Sequence, residues 1–192
     1  MILMRHGQSE FNVIYGRTRV DPGLRDPGLT DLGREQVAAS ARALAENRVG
    51  RTVRRILASP YRRALQTAGI VAETLGLPVE IDPTVGERAA FTCDIGTPRS
   101  ELCRHWPDIR FDHVTEEWWP TPVESLAALE LRGRRFRGGA GRRADWTETL
   151  VVSHWGFIRA LTGHPLPNAA MVLFDPTAAA PGGTVVDLGD PC

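Results

Sequence analysis

Short apolar runs alternate with longer amphipathic stretches along this chain, and that alternation is typical of an α/β fold. The apolar runs have the length of buried strands and lie at residues 2–4, 55–58, 79–81, 149–153, 171–174 and 184–188. We expect the last two runs to be edge strands. In open α/β sheets, ligands bind beyond the carboxyl ends of the strands, so the residues that follow each run are the candidates for function.

The amphipathic stretches between these runs predict four helices. Ser59 followed by Pro60 is a favoured start for one of them, and Gly76 is a favoured end. The other three are expected to follow Thr30, to span 123–137 up to the glycine-rich residues 138–141, and to span about 156–161.

Residues 91–122 break this alternation, because they are irregular and rich in aromatic side chains. The segment is long for a plain connection, and insertions of this kind often serve as lids over a binding site. Its neighbouring tryptophans, Trp118 and Trp119, fit a pocket wall and core packing equally well. We predict one domain over residues 1–192 with a lid-like insertion at about 91–122.

The charge composition excludes several classes of protein. The 23 positive side chains, all arginine, balance 23 acidic ones, and a net charge of zero argues against a nucleic-acid or anionic-membrane binder. Six arginines fall between Arg132 and Arg143, where a glycine-rich break and a lack of interleaved aromatic residues favour a solvated helix end. A coding bias towards arginine explains most of the 23, so only arginines at special positions carry functional information.

Other global features concern the compartment. The three cysteines, Cys93, Cys103 and Cys192, include no CxxC pair, so they indicate neither a disulfide framework nor a zinc site and fit a reducing cytosol. The first residues meet a charge too early for a signal peptide, and no apolar run approaches the roughly 20 residues of a membrane span. We expect a cytoplasmic protein, monomeric or homodimeric, with no membrane partner.

Three predicted strands end in basic residues. The first is followed by Arg5 and His6, the second leads into Arg63 at a helix start, and the 149–153 run leads into His154 at another helix start. Helix N-termini present free N–H donors and a partial positive charge. The three strand ends together therefore predict an anion pocket, and phosphate is the anion that suits it best.

The residues around these strand ends resemble the signature motifs of the histidine phosphatase superfamily, phosphoglycerate mutase-like branch. The similar segments occur in the family's order over nearly the whole chain: 4–12, 29–36, 59–68, 151–156 and Asn168 before the next strand. The resemblance implies an α/β fold, namely a three-layer α/β/α sandwich with a mostly parallel central sheet. It also implies hydrolysis of a phosphomonoester through a phosphohistidine, with no metal and no cofactor.

The resemblance assigns roles to individual residues. It implies that His6 attacks phosphorus in its neutral form, with its far ring nitrogen held by a nearby acceptor such as a backbone carbonyl. It further implies that Arg5, Arg63 and His154 surround the transferring phosphoryl group. Donors expected beside the phosphate are the side chain of Asn12 and the Gly7 amide. Family position points to Glu87 as the proton donor, with Asp94 and Glu101 as rival acids.

The chain departs from the family pattern at three places near the expected site. Gln8 stands where the family commonly has glutamate, and Trp155 stands where glycine is frequent. The residues after Glu87, at 88–91, lack the usual acidic-aromatic-glycine run. We expect Gln8 and Trp155 to contact the substrate beyond its phosphate.

Two alternatives to a phosphatase stay open. A phosphoglycerate mutase must exclude water and close over its phosphoenzyme, and the short insertion and early chain end at Cys192 favour hydrolysis instead. A catalytically silent phosphate-binding homologue is disfavoured by the presence of both histidines, both arginines and a candidate acid. The sequence predicts a small phosphorylated metabolite as substrate and does not choose among sugar phosphates, bisphosphates, nucleotide-like compounds and phosphoproteins.

Overall fold

The computed structural model describes residues 1–120, 123–179 and 181–188 of the chain. Within these ranges a central six-stranded sheet is flanked by helices. The strands are β1 (Ile2–Arg5), β2 (Arg55–Ala58), β3 (Val79–Ile81), β4 (Thr149–Ser153), β5 (Met171–Leu173) and β6 (Thr184–Val185). The helices are α1 (Glu10–Thr18), α2 (Asp31–Ala45), α3 (Arg62–Leu75), α4 (Arg99–His105), α5 (Leu126–Gly141) and α6 (Trp155–Thr162).

The strand order is β3-β2-β4-β1-β5-β6. The first four strands in this order pair in parallel, and β5 and β6 are antiparallel additions at one side. This is the mostly parallel α/β sheet that the sequence predicts. It also brings the carboxyl ends of β2, β4 and β1 side by side.

Hydrophobic side chains fill a core on each face of the sheet, because successive residues of a strand point to opposite sides. Ile2 and Met4 of β1 pack with the apolar sides of α2 and α3. Leu3, between them, packs on the other face with the apolar sides of α5 and α6. Helices therefore cover both faces of the sheet, and the expected three-layer α/β/α arrangement is confirmed.

The start of α3 differs from the expectation of a Ser59 cap with Pro60 in the first turn. The residue that caps α3 is Tyr61, and the helix begins at Arg62. Ser59 is fully buried, and its hydroxyl lies 2.8 Å from Nε2 of His154. The Ser59 side chain therefore contacts a residue distant in sequence, although local preference would place it at the cap of α3.

Helix α5 runs through the glycines that were expected to stop it. It begins at Leu126, three residues later than predicted, after Ser125, whose Oγ accepts the Ala128 amide, and continues to Gly141. Glycine costs a helix only about 1 kcal/mol relative to alanine. Burial of Ala140 at the end of α5 keeps this turn packed on the core, and tertiary packing overrides the local signal.

The sheet edge near the chain end is shorter than predicted. Strand β5 is not an edge strand, since it pairs with β1 on one side and β6 on the other. Strand β6 spans only two residues of the predicted 184–188 run. The Val186 amide still donates to the Met171 carbonyl at 3.0 Å, so the chain stays beside the sheet after β6 ends.

The aromatic segment 91–122 is described except for residues 121–122, and it contains α4. Trp118 packs edge-on against Tyr61 with ring centroids 4.6 Å apart, and Trp119 is 9% exposed. Most of the segment therefore packs against the fold, whereas its first residues approach the candidate site. Its role as a lid stays a prediction.

Two glycines allow the loop after β1 to lie against the start of α2. A side chain on Gly33 would overlap the Gln8 carbonyl, and one on Gly7 would overlap the Gly33 carbonyl. This close approach fixes the backbone of Gly7, the residue that follows His6. Within the described residues, no helix has the length and hydrophobicity needed to cross a membrane.

We expect Gly33→Ala to lower the free energy of unfolding by about 1–3 kcal/mol, because the new methyl group forces α2 away from Gln8. Gly69→Ala is the matched control, since its position in α3 has open space around it. That control should be stabilised by up to about 1 kcal/mol through helix propensity. Urea denaturation followed by circular dichroism measures both changes, and equal effects would contradict the close packing of Gly33 on the Gln8 backbone.

Candidate active site

The three basic strand ends meet at one edge of the sheet, as the sequence predicts. Arg5, the last residue of β1, is in register with Ser153, the last residue of β4. Ala58, the last residue of β2, is in register with Val152 of β4. The residues that follow these positions, His6, Ser59 and His154, are consequently neighbours in space.

His6 is buried and held in one orientation. Its side chain is 3% exposed, and its Nδ1 lies 2.7 Å from the Gly7 carbonyl oxygen. A carbonyl only accepts hydrogen bonds, so Nδ1 carries the proton and Nε2 keeps its lone pair. Burial, together with the charges of Arg63 and Arg5, holds the pKa of His6 well below the usual histidine range. The ring is therefore neutral, and its Nε2 lone pair is free to react.

His154 is fully buried beside His6, with ring centroids 5.1 Å apart. Its Nε2 lies 2.8 Å from the Ser59 hydroxyl, whereas Nδ1 has no partner among the described residues. Burial and the charge of Arg63 hold the pKa of His154 well below its usual range. When the Ser59 hydroxyl donates to Nε2, the unpartnered Nδ1–H is a hydrogen-bond donor for a phosphoryl oxygen.

Arg5 supplies the first guanidinium group of the site. Its Nη1 donates to the Leu166 carbonyl at 2.8 Å, and its buried Nε has no partner within the described residues. Burial lowers the pKa of Arg5 to about 10, with an opposing contribution from Glu87, so the group stays charged near neutral pH. A charged, partly unpaired guanidinium group at a cavity wall suits a phosphate.

Arg63, on the first turn of α3, supplies the second guanidinium group and is 3% exposed. Its Nη1 donates to the Cys93 carbonyl at 2.9 Å, and its Nη2 lies 3.2 Å from Oδ1 of Asp94. The guanidinium carbon lies 4.6 Å from the centroid of the Tyr61 ring. These three contacts fix the direction of the Arg63 side chain.

Asp94, which the sequence offered as a rival acid, is the buried partner of Arg63. Its second oxygen, Oδ2, accepts the Ala90 and Phe91 amides at 3.0 Å each. The carboxylate thus joins α3 to the 90–94 loop. Glu101, the other rival, lines a separate cavity together with His105 and Trp106.

Glu87 lies at the wall of the same pocket as His6 and Arg5. Its carboxylate accepts the Gly156 amide at 2.9 and 3.2 Å and the Arg88 amide at 2.9 Å. A side chain at position 156 would come within 2.5 Å of Oε1, so glycine permits this approach. Burial and the charge of Asp94 raise the pKa of Glu87, which favours the protonated form that a proton donor needs.

Asn12 is oriented by hydrogen bonds to its oxygen. Oδ1 accepts from the Ser9 amide, the Ser9 hydroxyl and Nδ2 of Asn168 at 3.0–3.1 Å. This leaves the Asn12 amino group as the donor available to the pocket. Asn168 also donates to the His6 carbonyl at 3.2 Å, so it connects the backbone of His6 to the side chain of Asn12.

At each of the two helix starts that were expected to bind the anion, an acidic side chain accepts a hydrogen bond from one backbone amide. The Arg62 amide at the start of α3 donates to Oδ1 of Asp26 at 2.8 Å. The Gly156 amide at the start of α6 donates to Glu87. One amide at each helix start is therefore already paired with a carboxylate, and a contribution of the helix N-termini to phosphate binding stays a prediction.

A cavity of about 640 Å³ opens at this edge of the sheet. Of the nine residues predicted for the site, six line the cavity: Arg5, His6, Asn12, Arg63, Glu87 and Trp155. His154 is not among the lining residues and lies behind the cavity wall beside His6, with ring centroids 5.1 Å apart. The structure does not bring the other two there, because the Gly7 amide donates to Thr67 and the Gln8 side chain accepts from Thr30.

The positioning contacts were not identified from the sequence. Ser59 and Tyr61 contact His154, and Asp94 pairs with Arg63. Ser59 and Tyr61 lie in the 59–68 motif, which is the one signal that could have identified them. Asp94 lies outside the motifs, and the sequence offered it only as a candidate acid. Among the described residues, no group of three or more His, Cys, Asp or Glu side chains could hold a metal ion.

These contacts suit an α/β enzyme that takes up a phosphoryl group on histidine. Residues 1–180 match the family model of the histidine phosphatase superfamily, branch 1. The chain therefore belongs to the histidine phosphatase superfamily.

Individual relatives agree with this assignment. A glucosyl-3-phosphoglycerate phosphatase of Mycolicibacterium vanbaalenii is 40% identical over 187 residues, which cover 88% of this chain and 76% of the relative. A putative phosphoserine phosphatase 2 of Hydrogenobacter thermophilus is 30% identical over 179 residues, covering 88% and 81%. The solved structure of a mycobacterial glucosyl-3-phosphoglycerate phosphatase with VO3 has a TM-score of 0.61 at 24% identity, over 90% of this chain and 88% of that one.

We expect Asp94→Asn to lower the free energy of unfolding by about 3 kcal/mol, because it leaves the buried Arg63 charge without its carboxylate. Asp112→Asn is the control, since the side chains of Asp112 and its partner Arg110 are 78% and 90% exposed. The control should unfold at nearly the wild-type urea concentration. If both variants match the wild type, Asp94 does not stabilise Arg63.

Proposed function

We propose that this protein hydrolyses the phosphomonoester of a small metabolite through a phosphohistidine on His6, and that glucosyl-3-phosphoglycerate is its substrate. The observation that carries the proposal is the neutral His6 ring, held at Nδ1 by Gly7 and flanked by Arg5 and Arg63. The 40% identical relative with that substrate in its name supports the choice of ester.

In the first step, Nε2 of His6 attacks phosphorus while the bond between phosphorus and the ester oxygen breaks. Arg5, Arg63 and Nδ1–H of His154 neutralise the oxygens of the transferring phosphoryl group. Protonated Glu87 gives its proton to the leaving oxygen, so that the alcohol departs neutral. The products of this step are the free alcohol and phosphohistidine.

In the second step, a water molecule attacks phosphorus and displaces Nε2 of His6. Glu87, now a carboxylate, accepts a proton from that water and returns to the acid form. Inorganic phosphate leaves, and His6 is again neutral with its proton on Nδ1. The cycle consumes one water and needs no further reactant.

The test is a phosphate-release assay over glucosyl-3-phosphoglycerate, 3-phosphoglycerate, phosphoserine and p-nitrophenyl phosphate. We expect the wild type to have its highest kcat/KM on glucosyl-3-phosphoglycerate. His6→Ala should abolish release and the acid-labile phosphoenzyme, since no nucleophile remains. His105→Ala is the matched control, because His105 is exposed and lines a separate cavity.

Each alternative has its own outcome in this assay. Conversion of 3-phosphoglycerate to 2-phosphoglycerate without free phosphate would identify a mutase. Absence of turnover on every ester would identify a phosphate-binding homologue. A His6→Ala variant as fast as the wild type would contradict the covalent mechanism, and a preference for phosphoserine would contradict the proposed substrate.

The pH dependence tests Glu87. Because Glu87 must be protonated to act, kcat/KM for an alkyl ester should fall as pH rises through its raised pKa. Nitrophenolate leaves without a proton, so its kcat/KM should not depend on the protonation of Glu87. The ratio of kcat/KM for the alkyl ester to that for the nitrophenyl ester should therefore report the pH dependence due to Glu87 by itself. Glu87→Gln should lower the alkyl rate by about 10²–10⁴-fold and remove the pH dependence of the ratio. Equal slowing of both esters by Glu87→Gln would reject Glu87 as the acid.

The cellular setting is also a proposal. Cys93 is buried and free, and Cys103 is exposed and free, which suits a reducing compartment such as the cytoplasm. A monomer or homodimer fits a chain of this size, and light scattering at several concentrations distinguishes the two.

A further inference from the structure

Beyond the catalytic residues, the cavity is lined by a group of aromatic rings. Phe11 and Tyr15 of α1 stack with their centroids 5.1 Å apart and their planes 12° apart. Phe91 closes the group, with its ring 5.5 Å from Phe11 and 5.1 Å from Tyr15. We call Phe11, Tyr15 and Phe91 the aromatic wall. The proposed chemistry at phosphorus uses none of these rings.

Phe91 is held in place although the residue is 40% exposed. Its amide donates to Oδ2 of Asp94, the carboxylate that also binds Arg63. The wall is thereby connected to the phosphoryl-binding group through one buried side chain. An exposed aromatic ring fixed at a cavity edge is available to a ligand.

Arg88 adds a cation to the same cavity. Its Nε donates to the Glu124 carbonyl at 3.0 Å, which fixes the side chain. Among the described residues, no hydrogen-bond partner of its Nη atoms is found. Arg88 and Phe91 both belong to the 88–91 segment that departs from the family pattern. In this segment, the Arg88 guanidinium group and the Phe91 ring line the same cavity as the proposed catalytic residues.

We propose that the aromatic wall and Arg88 form the subsite for the leaving group, and that this group is a hexose carrying a nearby carboxylate. The proposal rests on the proposed function and deepens it. One apolar face of a hexose ring packs on the wall, and the carboxylate pairs with the Arg88 guanidinium group. Phe91 and Arg88 are then specificity-determining residues that act on the alcohol rather than on phosphorus.

The experiment measures binding of the dephosphorylated product, so that it does not depend on turnover. Glucosylglycerate, which carries the carboxylate, and glucosylglycerol, which lacks it, are titrated by saturation-transfer NMR. We compare the wild type with Phe91→Ala and Arg88→Met. Leu126→Ala and Arg104→Met are the controls, because both positions are exposed and outside the cavity.

The two variants should have different effects on the two ligands. We expect the wild type to bind glucosylglycerate about tenfold more tightly than glucosylglycerol, through the charge-assisted pairing with Arg88. Arg88→Met should remove this preference, whereas Phe91→Ala should weaken both ligands by roughly fivefold and keep the preference. Thermal unfolding verifies that every variant is folded, and Phe91→Leu replaces Phe91→Ala if the latter is not.

Failure of the subsite and failure of the proposed function are distinguishable. No binding of glucosylglycerate by the wild type, or binding that both variants leave unchanged, would overturn the subsite even if phosphate is released from esters. Binding with the expected variant effects but without phosphate release would support the subsite and reject the phosphatase proposal.

Discussion

Two arginines that are largely withdrawn from water at one edge of the sheet set the electrostatics of this site. Arg63 is buried and Arg5 is half-buried, and both line one cavity. Among the described residues, Arg63 has a carboxylate partner there, Asp94. Desolvation by burial, followed by the charges of Arg63 and Arg5, lowers the pKa of His6 and of His154, so both rings stay neutral. A neutral imidazole and the arginine side chains therefore lie in one pocket, and the proposed mechanism requires both for a phosphate dianion.

Much of this arrangement could be predicted from sequence because it follows from local patterns. The apolar runs that became β2, β3 and β4 have the predicted bounds, and the basic residues after β1 and β4 meet because parallel strands share a carboxyl edge. The hydrogen bond from His6 to a backbone carbonyl was also expected. These features need only strand periodicity, helix signals and the family motifs.

The remaining features depend on partners distant in sequence. Ser59 binds His154, 95 residues away, instead of capping α3. Glu87 binds the start of α6, 69 residues away, where a phosphate was expected to bind. Each of these side chains has a plausible local role, and only the tertiary fold decides between that role and a distant partner. The pairing of Asp94 with Arg63 likewise joins residues distant in sequence.

The proposed mechanism depends on a neutral His6 ring whose proton lies on Nδ1. Two-bond ¹H–¹⁵N correlation NMR of the histidine rings measures this state directly, with His6→Ala used to assign the signals. Near neutral pH we expect a protonated Nδ1 and an unprotonated Nε2 for His6. A doubly protonated ring, or a proton on Nε2 with Nδ1 bare, would contradict it.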